Sequence, residues 1–150
     1  MKVTSRKLIR KSPLEVWNLL LNSNVDQAVY CPIFCLGVPR PVKCEYNIGE
    51  LAASKNSRRC VSNRGEIRQE IDVFEPPSHL RFHLVKTDLA VRSCIERMHD
   101  EFHLQPVHGG TLVERVTVID IKKPLAVFKE PFLWAGIKSV HRYVFDAWAA

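Results

Sequence analysis

The sequence has no long uninterrupted apolar segment, and this absence argues against a transmembrane helix. Its longest uncharged apolar stretches have about ten residues, whereas a helix needs about 20 to cross a bilayer. The first residues, MKVTSRKLIRK, carry charge, but no apolar core or small-residue cleavage site follows them, so no secretory signal is expected. On these grounds the sequence predicts a cytoplasmic protein without a transmembrane segment.

A cysteine framework is lacking as well. The five cysteines are odd in number, scattered and without a CxxC pair: Cys31, Cys35, Cys44, Cys60 and Cys94. This pattern argues against a disulfide framework and against a closed zinc site, and it predicts reduced thiols that pack as small apolar residues. Cys31 and Cys35 are near enough in sequence to ligate a metal, but Pro32 between them favours a role without one. We therefore predict no metal site and no cofactor.

Concentrated basic charge is also missing. The net charge of +6 is spread along the chain without a run of more than two or three basic residues. Such a distribution does not form the basic patch that nucleic-acid binding needs, although it is compatible with an anionic ligand or partner. The chain has no nucleophile elbow, phosphate-binding glycine loop, HExxH motif or dinucleotide fingerprint, so it shows no apparatus for covalent catalysis.

The composition that is present is typical of one globular domain covering residues 1–150, with 46% hydrophobic and 25% charged residues. A first strand is predicted at residues 2–10, followed by a helix that begins in KSPLEVWNLL. Ser12 is suited to cap this helix, Pro13 to occupy its first turn and Glu15 to complete a capping box. A second short helix is predicted over residues 25–30.

Residues 42 to 121 show strand after strand. Turn signals at NIG, SKN, SNRG, EPPS and PVHGG separate runs at 42–46, 57–62, 65–75, 79–87, 92–105 and 111–121. The short connections predict antiparallel neighbours. Alternation of apolar and polar residues, as in HLRFHLV, predicts a sheet with one buried and one solvated face.

After Pro124 the pattern becomes helical. Large residues recur at three- and four-residue spacing, namely Trp134, Ile137, His141, Val144, Phe145 and Trp148. Pro131 is expected in the first turn of this helix or at a kink. Because the apolar face of the sheet must be covered and this helix is the only element left to cover it, we predict an α+β fold in which the sheet curls around the helix.

The order of elements, with SPLEVWNLL after the first strand and EFHLQPVHGGTLVERVTV as the last hairpin, resembles the START-related helix-grip superfamily. Its members include polyketide cyclase/dehydrase-type and birch-pollen-allergen-like proteins. The resemblance covers nearly the whole chain and implies a seven-stranded curved antiparallel sheet wrapped around a long C-terminal helix. It also implies two short helices after the first strand that close a deep pocket. In that fold the last hairpin would be a pocket wall, and Gly109 and Gly110 would supply the positive φ that its turn needs.

Carboxylates on the two strands of this hairpin are candidates for the pocket. Glu96 and Asp100 share parity with Phe102, which places them inward unless a β-bulge exchanges the faces. An inward carboxylate needs a partner or a function. Glu114 is also predicted inward, because it alternates with Val116 and Val118, and Arg115 is then predicted to face solvent.

Histidines are the other titratable candidates. His141 lies on the apolar face of the last helix, where it is either a polar anchor and proton shuttle or a core histidine bonded to the backbone. His99 and His103 lie on the other parity of their strand, about 13 Å apart by strand rise, so they cannot share one metal ion. The predicted catalytic residues are thus His141, Glu96, Asp100 and Glu114. The predicted ligand-binding residues are Tyr30, Ile71, Phe82, Met98, Phe102, Trp134, Ile137, His141 and Phe145.

Three functions fit these expectations. The favoured one is binding or transport of a hydrophobic small molecule, such as a lipid, a quinone or an aromatic, polyketide-like metabolite, between the sheet and the last helix. The second, implied by the resemblance, is a cyclase/dehydrase-type enzyme that uses pocket acids and bases. The third is a protein-interaction module on the same fold. A monomer and a homodimer both remain open.

Overall fold

A computed structural model describes residues 1–25, 38–47, 56–122 and 126–150, the last segment by backbone alone at 126–128. Its strands are β1 (Lys2–Ile9), β2 (Pro41–Asn47), β3 (Ser57–Ser62), β4 (Gly65–Glu75), β5 (His79–Thr87), β6 (Ile95–Val107) and β7 (Gly110–Ile121). Its helices are α1 (Pro13–Leu21) and α2 (Ala126–Ala149), with a short 3₁₀ turn at Ala90–Ser93. The strands form one antiparallel sheet in the order β1-β7-β6-β5-β4-β3-β2. The predicted α+β architecture and its strand sequence are confirmed.

The first helix begins at the predicted cap. Ser12 Oγ accepts a hydrogen bond from the Glu15 N–H at 3.3 Å, and Glu15 Oε2 accepts one from the Ser12 N–H at 2.7 Å. These two bonds are the reciprocal capping box and satisfy donors that a helix start leaves open. Val16, Trp17 and Leu20 form the buried side of α1. Of the second predicted short helix, at 25–30, only Val25 is described, and residues 26–30 lie outside the described residues.

The last helix crosses the inner face of the sheet. Its Asp146 pairs with Lys7 of the edge strand β1, while its Trp148 packs against Phe102 of β6 with ring centroids 5.9 Å apart. Helix α2 begins five residues before Pro131, so the proline lies inside the helix rather than in its first turn. Among the described residues, no helix is both long and apolar enough to cross a bilayer.

The last hairpin turns at the two predicted glycines. Gly109 has a φ of +85° and Gly110 a φ of +150°, backbone conformations that side-chain-bearing residues rarely adopt. A Cβ at Gly110 would also lie 2.2 Å from the Ile9 carbonyl oxygen of β1. Glycine is therefore required at residue 110 both for the turn and for the close approach of the neighbouring strand.

The prediction that all cysteines are reduced is wrong. Cys44 of β2 and Cys60 of β3 stand directly opposite each other in the antiparallel register and form a disulfide. Their sequence separation of 16 residues shows no recognisable motif, because the two sulfurs meet only when the strands pair. Disulfides are uncommon in cytosolic proteins, so this disulfide does not support the predicted cytoplasmic location. Cys31 and Cys35 lie outside the described residues.

Candidate functional site

A cavity of about 190 Å³ lies between the sheet and α2. One water needs roughly 10–15 Å³ on this measure, so the space is far larger than a packing defect. Most of its lining is apolar and comes from both sides. The sheet contributes Val61, Ile67, Met98 and Phe102, and the helix contributes Phe132, Leu133, Gly136, Ile137, Val140, Val144 and Trp148.

The helix presents a different stripe to the cavity from the one predicted. Ile137 lies on the cavity wall, but Trp134 is 45% exposed and Phe145 is 2% exposed within the core, and neither lines the cavity. The three- and four-residue spacing in the sequence merged two faces of α2. One face looks into the cavity, and a second packs against solid core, where side-chain contacts leave no room for a guest.

Of the apolar side chains predicted on the sheet, Met98 and Phe102 line the cavity. Phe82 does not, because it is fully buried beneath Arg58, whose guanidinium carbon lies 4.3 Å from the ring centroid. Ile71 packs against the core cluster instead. Tyr30 lies outside the described residues.

Asp100 points inward and is paired with a residue that was predicted to face solvent. Arg115 donates from Nε and Nη2 to the two carboxylate oxygens of Asp100, each at 3.3 Å, and the Thr117 hydroxyl also donates to Asp100. Burial by itself would raise the pKa of Asp100, but the charge of Arg115 and the hydrogen bonds from Arg115 and Thr117 outweigh burial and lower it. All three residues line the cavity, so it contains a complete, ionised pair.

The inward placement of Glu114 is wrong. Its side chain pairs on the outer face with Arg6, which lies directly opposite on β1, while Arg115 is buried. The prediction assumed that the valines alternating with Glu114 face the cavity. Val116 is buried, but it lies on the outer face of β7 together with Glu114.

The inward placement of Glu96 is also wrong. The register between β6 and β7 shifts between Ile95 and Arg97, which is the β-bulge considered as the alternative. Glu96 is therefore exposed and lies away from the cavity between sheet and helix, whereas Asp100, beyond the bulge, keeps the inward parity.

His141 is fully buried but does not line the cavity. Its Nδ1 lies 3.0 Å from Ser5 Oγ, and its Nε2 lies 2.8 Å from Thr117 Oγ1, so hydroxyls rather than a backbone carbonyl satisfy both ring nitrogens. Burial, with the positive charge of Arg115, lowers the pKa of His141 to about 2 against the opposing effect of Asp100. The imidazole is therefore neutral at physiological pH, and Thr117 stands between it and the cavity.

A second polar group, around Arg58, was not predicted. Arg58 of β3 is buried at the cavity wall, donates from Nη1 to Gln69 Oε1 at 2.9 Å and lies with Nη2 3.0 Å from Cys44 Sγ. Burial lowers the pKa of its guanidinium, yet an arginine starts so far above neutrality that it stays charged. A signal was available in the sequence, since Gln69 shares the apolar face of its strand with Ile67 and Ile71.

Comparison with known proteins gives fold neighbours. No family model matches the chain, and no curated protein matches it. A protein of Thermus thermophilus of known structure is similar over 99% of this chain and 94% of its own, with a TM-score of 0.68 and 14% identity. A START superfamily protein from Mycobacterium smegmatis has a TM-score of 0.67 and 11% identity over 99% of this chain and 94% of its own. Ara h 8.0201, a protein of the Bet v 1-like group, has a TM-score of 0.62 and 11% identity over 99% of this chain and 95% of its own. At these identities the likeness shows the fold alone, and that fold is the helix-grip α+β fold.

Proposed function

We propose that the protein binds a hydrophobic small molecule in the cavity between its sheet and α2. The observation that supports this most is that a mainly apolar cavity of about 190 Å³ lies beside a well-packed core. Binding sites for small molecules are concave and apolar with a few convergent polar groups, and Arg58, Asp100 and Arg115 are such groups here. Lipids, quinones and aromatic, polyketide-like metabolites are the ligand classes proposed.

The acid–base enzyme is the weaker alternative. Asp100 is ionised and already accepts hydrogen bonds from Arg115 and Thr117, and His141 stands behind Thr117 with a pKa too low for a general base. Glu96 and Glu114 lie away from the cavity. An interaction module on this fold would not need the interior space, so the cavity favours ligand binding.

Filling the cavity from the helix side should weaken ligand binding strongly. Ile137→Trp places an indole in the space between α2 and the sheet, and we expect it to weaken binding of the uncharged apolar dye phenylnaphthylamine by roughly tenfold or more. The dye's fluorescence on titration with protein measures the change. Arg142→Trp adds the same ring to the solvent side of α2, where the arginine side chain is 86% exposed, and should bind like the wild type. Equal loss in both variants, or no saturable dye binding to the wild type, would contradict the proposed function.

A further inference from the structure

Arg58 is a positive charge in the cavity wall that no acidic side chain among the described residues pairs with. Its hydrogen-bond partners are an amide oxygen and a disulfide sulfur, which is a weak acceptor, and its guanidinium carbon lies 4.3 Å from the Phe82 ring centroid and 5.4 Å from that of Tyr46. Its Nε is buried without a hydrogen-bond partner. Arg115 differs, because Asp100 neutralises it across two hydrogen bonds.

The charged groups of the described cavity wall are therefore Arg58, Arg115 and Asp100, which leaves one positive charge in excess. Burying a charge is costly unless a partner of opposite sign accompanies it. A guanidinium presents its donors in a planar fork that matches the two oxygens of a carboxylate. The aromatic rings beside Arg58 hold its guanidinium in place. The guanidinium can therefore bind the anionic group of a ligand whose remaining part is apolar.

We propose that Arg58 binds the anionic head of the ligand, and that the ligand is a small amphipathic acid whose apolar part occupies the space against α2. This proposal rests on the proposed function and adds the charge of the ligand to it. A hydrogen bond to a charged group is worth about 1.5–3 kcal/mol, which corresponds to roughly 10- to 100-fold in affinity.

The test compares acids with their own methyl esters. Decanoic acid, naphthoic acid and the methyl ester of each compete with phenylnaphthylamine at pH 7, and the wild type should prefer each acid by roughly 10- to 100-fold. Arg58→Met should lose this preference while still binding the esters, and Arg58→Lys should keep part of it. Arg59→Met is the matched control, because Arg59 is the next residue of β3, is 51% exposed and pairs with Glu66 on the outer face. It removes the same charge and should keep the full preference.

A direct reading comes from the Arg58 Nε–H resonance of ¹⁵N-labelled wild-type protein, which should shift on adding an acid and not on adding its ester. Esters that bind as well as their acids would overturn the role of Arg58 and leave the proposed function standing. Failure of dye, acids and esters alike to bind would overturn the proposed function itself. An equal loss of acid preference in Arg59→Met would show that net charge, not Arg58, selects the ligand.

A different feature, on the outer face of the sheet, supports an independent inference. His79 of β5 and His103 of β6 are directly opposite in the antiparallel register, and their rings stack with centroids 4.4 Å apart. Glu101 lies on the same face, and its Oε1 is 2.7 Å from His79 Nε2 and 3.3 Å from His103 Nε2. One ligand atom from each of the three residues lies within 4.8 Å of the others.

Two imidazoles and a carboxylate are a ligand set for Zn²⁺, with bonds of about 2.0–2.2 Å, and a tetrahedral ion would separate the three ligand atoms by about 3.3 Å. Glu101 Oε1 lies 2.7 Å from His79 Nε2 and 3.3 Å from His103 Nε2, and one ligand atom from each residue lies within 4.8 Å of the others, so side-chain rotations are sufficient to reach this geometry. We propose that His79, Glu101 and His103 bind a zinc ion with a fourth position open to solvent.

Calorimetric titration of untagged, full-length protein with zinc chloride tests this site. We expect one site that His103→Gln or Glu101→Gln weakens by roughly tenfold or more, whereas His108→Gln, in an exposed turn, leaves it unchanged. Glu101 and His103 are partly exposed on the outer face of the sheet, so these polar substitutions should leave folding intact, which the circular dichroism spectrum checks. Absence of zinc binding, or an equal effect of His103→Gln and His108→Gln, would overturn the site.

Discussion

Replacing Asp100 by alanine is expected to lower the free energy of unfolding by about 3–5 kcal/mol. The substitution leaves Arg115, whose side chain is 10% exposed, without the carboxylate that neutralises it, and it removes the acceptor of the Thr117 hydroxyl. An uncompensated buried charge is much more costly than the loss of one hydrogen bond. Equilibrium unfolding in urea at pH 7 measures the difference.

The same hairpin carries the control for this prediction. Glu114→Ala removes a carboxylate that pairs with Arg6, but Arg6 is 68% exposed, so the loss should stay within about 1 kcal/mol. Replacing Asp100 and Arg115 together by leucine and methionine should recover most of the stability, because no unpaired charge then remains. An Asp100→Ala loss no larger than that of Glu114→Ala would contradict the buried pair.

Acidification from pH 7 to 5 is expected to lower the free energy of unfolding by about 2 kcal/mol through His141 alone. In the native protein the pKa of His141 is about 2, because of burial and the nearby positive charge of Arg115, whereas an unfolded histidine has a pKa near 6.5. Below pH 6.5 the unfolded chain takes up a proton that the native chain does not, so falling pH favours unfolding. The contribution of the neutral His141 to stability is present well above pH 6.5. It begins to fall near that pH and then declines at about 1.4 kcal/mol per pH unit down toward pH 2.

Urea unfolding at pH 7, 6 and 5 measures this slope, and His141→Gln should remove the histidine's share of it. The wild type's advantage over this variant should therefore shrink by about 2 kcal/mol between pH 7 and 5. His108→Gln, at an exposed turn, should keep the wild-type slope. Asp100 does not add to the pH dependence in this interval. Its native pKa is lowered, so its contribution to stability is lost only as the pH falls below the ordinary aspartate pKa near 4. Parallel pH profiles for the wild type and His141→Gln would show that His141 titrates normally.

The fold was predictable because its signals are local. The cap at Ser12, the turn glycines Gly109 and Gly110, and the change from a period of two to a period of 3.6 are each written in a few consecutive residues. Strand bounds at 57–62, 65–75 and 79–87 agree with the structure residue for residue. The largest displacement at a strand start came at β6, which begins at Ile95 beside a bulge that alternation alone does not reveal.

The site was less predictable because its residues meet across strands. Arg115 and Asp100 are 15 residues apart, and Arg58 and Gln69 are 11 apart, so each pair exists only in the register that joins its strands. Alternation also predicted the wrong face of β7, because valines occupy both of its sides. Glu114 was therefore predicted inward and Arg115 outward, whereas the structure shows the opposite. His99 and His103 lie too far apart on one strand to share a metal ion, but His103 lies directly opposite His79 of the adjacent strand.

The sequence by itself determined that this chain forms seven antiparallel strands and a long final helix with an apolar face, because hydrophobic period and turn chemistry act between near neighbours. The tertiary structure alone decided which polar side chains enter the cavity and which cysteines join. It also decided that His141 stands behind Thr117 rather than in the open space. The physical reason is that burial, charge pairing and hydrogen bonding depend on which atoms the folded sheet brings within a few ångströms, and that information is spread over residues distant in the chain.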